Sequence, residues 1–182
     1  MILAEAYMSL ARMLDYPAEK EGLQTARAAV SDCLDERHVD CPLGAFADLV
    51  ASSSLTSLQE EYVATFDFNP ATAPYLGHHL FGDNQKKGGY LIGLKQEFGR
   101  YGFVPPGNEL PDHVSVVLGF LAHLARKKSD AARKTFIAVS VLPGIERLCA
   151  VFADRQGSPW RPVVEAARLL CAADCKEVAH AE

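Results

Sequence analysis

The chain has 182 residues, of which 49% are hydrophobic and 23% charged, with a formal net charge of -5. These are ordinary values for a single globular domain, which at this length buries about 70% of the surface its unfolded chain exposes, and they exclude a disordered chain. The mild acidity and the short basic clusters, Lys86-Lys87 and Arg126-Lys127-Lys128, exclude a nucleic-acid binder, whose affinity rests on dense Lys and Arg.

At the N-terminus MILAEAYMSLARML carries Glu5 within its apolar part and lacks the basic start and cleavage site of a signal peptide. It predicts a helix with Leu3, Ala6, Tyr7, Leu10, Met13 and Leu14 on one face, ending near Tyr16-Pro17, since the residue before a proline is disfavoured in the α region. A second helix is expected over 21–37, burying Leu23, Ala26, Val30, Cys33 and Leu34. A third follows Pro42, expected in its first turn, with Leu43, Phe46, Leu49 and Val50 inward. Ser57-Leu58-Gln59-Glu60 has the pattern of a capping box ahead of a helix burying Leu58, Tyr62, Val63 and Phe66.

The next segment, FDFNPATAPYLGHHLFGDN, resists a periodic reading; its prolines and aromatic residues predict an ordered loop with one short helix. Helical spacing returns over 85–101 through Leu91, Leu94, Phe98 and Tyr101, with Gly102 as the C-terminal stop. Gly88, Gly89, Gly93 and Gly99 lie inside that pattern, each at a cost of ~1 kcal/mol relative to alanine. Close approach of a neighbouring helix, or a mobile first turn, is the expected offset. A helix over 113–128 follows, then one or two more with a break at Leu142-Pro143-Gly144, and a last helix after Gly157-Ser158-Pro159 carrying Val163, Val164, Ala167 and Leu170. The fold expected is all-α: one domain over 1–182, a bundle of eight or nine helices.

Five cysteines, an odd count without Cys-x-x-Cys spacing, suggest neither a disulfide framework nor a zinc knuckle. Cys171 and Cys175 share a helix face and read as packed thiols rather than half a metal site. A reducing compartment is expected, and no window holds the roughly 18 uninterrupted apolar residues of a membrane span, so a soluble cytoplasmic protein is expected.

The chain has no Gly-x-Ser-x-Gly elbow, P-loop, dinucleotide-binding fingerprint or His-Glu-x-x-His pair, which moves the expectation from an enzyme toward a binding or assembly protein. Adjacent side chains point about 100° apart on a helix, so His78-His79 is a poor chelating pair. The stretch ELPDHVSVVLGFLAHLA, 109–125, is the densest candidate. Asp112 reads as the cap of the helix whose buried stripe is Val114, Val117, Leu118, Leu121 and Ala125. Glu109, Asp112 and His113 together exceed what a cap needs. Beside aromatic residues they read equally as a solvent-facing acidic corner for a segment mixing arginines with apolar residues. The competing reading is a metal protein or hydrolase centred on His78, His79, Glu109 and His113.

LQEEYVATFD, PYLGHHLFGD, the glycine-rich helix start and ELPDHVSVVLGFLAHLA, in this order and at these intervals, resemble the maturation chaperones of respiratory nitrate reductase, the NarJ type, within the TorD/DmsD group of redox-enzyme maturation proteins. The resemblance covers about 58–125 with specific motifs, and the late GSPW also fits. It implies a TorD-like, non-enzymatic cytoplasmic chaperone with no cofactor of its own. Such a chaperone binds the N-terminal leader or remnant of a molybdenum-containing catalytic subunit until the molybdopterin cofactor is inserted, before membrane attachment or export. It also implies a peptide-binding set: Tyr62 and Phe66 from a Tyr-x-x-Phe pattern, Tyr75, Leu76 and His79 from Tyr-Leu-x-x-His, and Glu109, Pro111, Asp112 and His113 from the acidic-Pro-Asp-His motif. The chain departs from the nitrate reductase type at His78, where glutamate is usual, at GDNQKKGG, where arginines are usual, and at Gly119, where glutamate is common. These departures leave the client open among molybdoenzymes.

Overall fold

Helical periodicity carries through almost the whole chain. In the computed structural model, which describes residues 2–155 and 157–176, the only β pairing among those residues is an isolated antiparallel bridge between Tyr75 and His113. The helices are α1 (Ile2–Met13), α2 (Glu21–Asp35), α3 (Gly44–Ser52), α4 (Leu55–Tyr62), α5 (Leu76–Phe81), α6 (Lys86–Tyr101), α7 (Val114–Arg126), α8 (Asp130–Phe136), α9 (Leu142–Ala153) and α10 (Arg161–Lys176). A π-helical turn, Val63–Asp67, extends α4, and a second, Ile137–Val141, joins α8 to α9 without a break, so nine continuous helices result among the described residues.

α7 is the centre. A helix that is apolar all round must be buried all round, and every residue from Val114 to Ala122 is. α1 lies along it, presenting Tyr7, Leu10, Met13 and Leu14, and α2 covers the other side of α1 with Leu23, Ala26, Val30 and Leu34. Each such leucine or aromatic side chain contributes about 1.5–3 kcal/mol by leaving water. A second focus is aromatic: Trp160, wholly buried, packs its ring 5.0 Å from Phe46, 5.4 Å from Tyr62 and 5.7 Å from Phe66. One late residue thereby joins α3, α4 and the first π turn.

Four local expectations differ from the structure. Pro42 precedes the Leu43 cap instead of entering α3. The serine that caps α4 is Ser54, whose hydroxyl accepts the Ser57 N–H at 3.1 Å, so Ser57 and Glu60 lie inside the helix. Pro143 does not break the chain: it follows directly on the π turn, whose Leu142 N–H to Ile137 O bond has shifted the hydrogen-bond register just before it. Finally, a Cβ built on Gly88, Gly89, Gly93 or Gly99 meets nothing within 4 Å, so no neighbour's close approach explains the glycines of α6.

The 24-residue run Asp130–Ala153 is long and apolar enough to cross a membrane by length and composition. Its Phe136, Ile137, Val141, Ile145, Leu148 and Phe152 are instead buried inside the bundle, and Arg133, Lys134, Glu146 and Arg147 interrupt it. Arg133 anchors it to α10: its Nε and Nη2 donate to the two oxygens of the wholly buried Asp174 at 2.7 and 2.9 Å. Tyr7 of α1 donates its hydroxyl to Asp174 at 2.8 Å, and exposed Asp130 also pairs with Arg133. Removing one member of a buried pair strands the other charge, which costs about 3–5 kcal/mol. Asp174→Ala is therefore expected to lower unfolding free energy by about that amount in urea titration, and Asp130→Ala by much less.

Candidate functional site

The segment between the first π turn and α5 runs beside the segment leading into α7, and prolines set both. Pro74 and Pro111 bias Ala73 and Leu110 away from the helical region, as Ala73 (φ -50, ψ 134) shows, and beyond the prolines Tyr75 (φ -116, ψ 112) and His113 (φ -60, ψ 132) are extended. Two backbone bonds lock the pair: Val114 N–H donates to Pro74 O at 2.8 Å, and Leu76 N–H to Asp112 O at 2.9 Å.

Asp112 does not cap its own helix. His113 does, its Nδ1 accepting the Ser115 N–H at 3.2 Å. The Asp112 carboxylate reaches across to α5, where Oδ2 accepts the Gly77 N–H at 2.9 Å, so it caps a helix 35 positions earlier in the chain. Gly77 is needed because a Cβ there would stand 2.8 Å from that oxygen and 3.2 Å from the Tyr90 ring. Asp112 is 0% exposed and His113 3%, so neither belongs to a solvent-facing corner. Burial raises the carboxyl of Asp112 above its ordinary range, against the Gly77 N–H and the nearby Lys87, which favour the charge.

What faces solvent is Glu109, with its neighbour Leu110. The half-buried Tyr75 donates its hydroxyl to Glu109 Oε2 at 3.0 Å and sets its ring edge-on to His113, centroids 5.2 Å apart. Partial burial and the Glu109 bond push the Tyr75 phenol up to about 12. The structure thus brings Tyr75, Glu109, Pro111, Asp112 and His113 together. Leu76 is core, packed so closely on α9 that a Cβ at Gly144 would sit 3.0 Å from it. His79, half-buried, hydrogen-bonds Ala73 O at 2.7 Å, and Arg147 of α9 donates to the His79 and Leu80 carbonyls at 3.0 and 2.8 Å, tying down the end of α5. Tyr62 and Phe66 are buried, rings 4.8 Å apart, in the aromatic cluster around Trp160, and support the corner from beneath. Gly77 and Ser115, which complete the two caps, are missed by sequence reasoning; a glycine just inside a predicted short helix is the one available signal. The four residues of the metal or hydrolase reading do not converge: no group of three or more potential ligands forms among the described residues.

The nitrate reductase delta subunit family model matches residues 7–166. The chain belongs to that family. It is 32% identical over 132 residues to a Bacillus subtilis protein named a probable nitrate reductase molybdenum cofactor assembly chaperone, NarJ, covering 71% of this chain and 70% of that one. The Escherichia coli K12 protein of the same chaperone name is 24% identical over 139 residues, 73% of this chain and 58% of its own length. The fold also matches a crystal structure from Archaeoglobus fulgidus assigned to the redox enzyme maturation proteins, with a TM-score of 0.62, 21% identity and 91% coverage of both chains. Membership of this family makes the protein an assembly chaperone of the NarJ type and not an enzyme.

Two sets of measurements test this geometry. Gly77→Ala is expected to destabilise by about 1–3 kcal/mol, because the new methyl displaces the buried carboxylate from its donor. Gly89→Ala, in open space on α6, is expected to stabilise by about 0.5–1 kcal/mol. Burial lowers the imidazoles of His113 and His79 below their ordinary 6.5, although Glu109, Asp15, Asp112 and Asp67 pull His113 the other way. Because the unfolded chain binds those protons first, stability falls as pH drops below 6.5 toward the folded-state values. His113→Asn keeps a capping oxygen and is expected to reduce that slope in urea titrations at pH 7.5 and 5.5.

Proposed function

We propose that this chaperone holds the N-terminal leader, or leader-like remnant, of the catalytic subunit of a molybdenum-containing oxidoreductase while the molybdopterin cofactor is inserted, before the subunit reaches a membrane or is exported. The observation that carries the proposal is the pairing of Tyr75 with Glu109 over buried His113: an exposed carboxylate and an exposed apolar neighbour, Leu110, on an immobile base. A carboxylate held by a phenol is oriented to take guanidinium, and the adjacent apolar surface suits the hydrophobic part of a leader. Asp112, His113, Pro111 and Leu76 serve binding by fixing that base, while Tyr62 and Phe66 set its depth. The names of the Bacillus subtilis and Escherichia coli relatives, cofactor assembly chaperones, support this class of client.

A cell lacking the chain is expected to accumulate the client's catalytic subunit with little molybdenum by elemental analysis, and the tagged chain is expected to recover that subunit in the cofactor-free state. Recovery only of the mature, molybdenum-loaded enzyme would point to a permanent subunit instead. Glu109→Gln keeps the fold and is expected to weaken binding of the client's N-terminal peptide by about threefold to tenfold in calorimetric titration.

A further inference from the structure

Two turns outside the acidic-Pro-Asp-His motif stand beside Glu109. The first, after α1, carries Asp15 and Tyr16; the second, ending the first π turn, carries Asp67 and Phe68. Tyr62 ties them together, donating its hydroxyl to Leu14 O at 3.3 Å and meeting the edge of the Tyr16 ring at 5.7 Å. Tyr75 in turn joins Glu109 to His113, and the Phe68 N–H donates to Val63 O at 3.0 Å, holding Asp67 beside Tyr62, so that Asp15, Asp67 and Glu109 each act on the charge of both His113 and Tyr62. All three are exposed, and none has an ion-pair partner among the described residues. Their neighbours are apolar and unusually open: Phe68 is 83% exposed and Tyr16 48%.

The second observation is the floor of this patch. His113 is almost wholly buried, and a backbone N–H can only donate, so the Ser115 N–H fixes Nδ1 as the acceptor. In the neutral ring the proton is then on Nε2, which has no hydrogen-bond partner among the described residues while Asp15, Asp67 and Glu109 act on the ring from outside. An unpartnered N–H on a ring that is only 3% exposed, beside carboxylates without ion-pair partners and open aromatic faces, is complementary to a segment that brings cations, a carbonyl and apolar side chains together.

We propose that Asp15 and Asp67, together with Glu109, form the cation-binding rim of the chaperone's peptide site, that Tyr16 and Phe68 are its apolar wall, and that His113 Nε2–H receives a backbone carbonyl of the bound arginine-bearing segment. This rests on the leader-binding reading and assigns charge pairing to two carboxylates, Asp15 and Asp67, that join Glu109 from outside the acidic-Pro-Asp-His motif, leaving Asp112 as a positioning residue.

The test uses the full chain and a synthetic fluorescent amphipathic peptide with two arginines ahead of a leucine-rich face, alongside its copy with glutamine for arginine, read by anisotropy at low salt. Asp15→Asn and Asp67→Asn preserve shape, and the asparagine at 15 keeps the oxygen that accepts the Tyr16 N–H in the native turn. The combined variant is expected to bind the arginine peptide about tenfold more weakly and the glutamine peptide as wild type does, with the difference closing as salt is raised. Far-UV circular dichroism is expected to be unchanged. Equal binding of the arginine peptide by variant and wild type overturns the rim, as does wild-type protein that binds both peptides alike. Failure of wild type to bind the arginine peptide at all overturns the leader-binding reading along with it.

Discussion

The two-rung pairing of Tyr75 with His113, closed by the Asp112 carboxylate on the Gly77 amide, is the constraint on which the functional face depends. It joins the start of the short helix α5 to the start of the central helix α7. α5 has only six residues, too few to be stable alone, and it is held from three directions: Asp112 at its N-terminus, Arg147 at its last carbonyls, and the Leu76–Gly144 contact beneath. Everything exposed at the corner stands on that fixed base. Tyr75 points outward because its backbone is a strand residue and not a helical one, and Glu109 is oriented by Tyr75 in turn.

The division between framework and surface follows burial. Asp112 and His113 sit under the surface, where the bonds they do make, Oδ2 to the Gly77 N–H and Nδ1 to the Ser115 N–H, fix one arrangement of the backbone. Glu109, Asp15 and Asp67 sit in water, where charge is cheap to keep and is available to a partner. A motif that reads as one unit along the chain is therefore two devices in space: three residues that build a platform and one that faces out from it.

The bundle was legible because helical periodicity is local. Leu10, Val30, Leu118 and Leu148 declare their buried faces from spacing alone, and Gly102, at φ +66, is the left-handed stop its position suggests. The caps were not legible. Ser54 and Ser57, or Asp112 and His113, are equally good candidates along the chain, and what decides between them is a partner: for Asp112 it is an amide on another helix. Pro143 misled for a related reason, since whether a proline breaks a helix depends on the hydrogen-bond register one turn earlier, and a π turn leaves no periodic trace. The exposed aromatic residues were hidden in the same way. Phe68 lies two positions from wholly packed Phe66, and only the end of the π turn separates their fates.

The open glycines of α6 have a dynamic consequence. A helix that forgoes about 1 kcal/mol of propensity at each of four positions, with empty space beside all four, is held mainly toward its C-terminal end, by Leu94, Phe98 and the Tyr101 carbonyl, which accepts from His123 Nε2 and Lys127 Nζ at 2.9 and 3.0 Å, while its first turns rely on the Tyr90 hydroxyl, bonded to Ser140 O at 2.6 Å. Protection against hydrogen exchange rests on such contacts, so the first turns of α6 are expected to exchange faster than its C-terminal end. Because Tyr90 and Lys87 of the same helix flank the Gly77 clamp, fraying at its start loosens the flank of the platform while α1 and α7 stay closed.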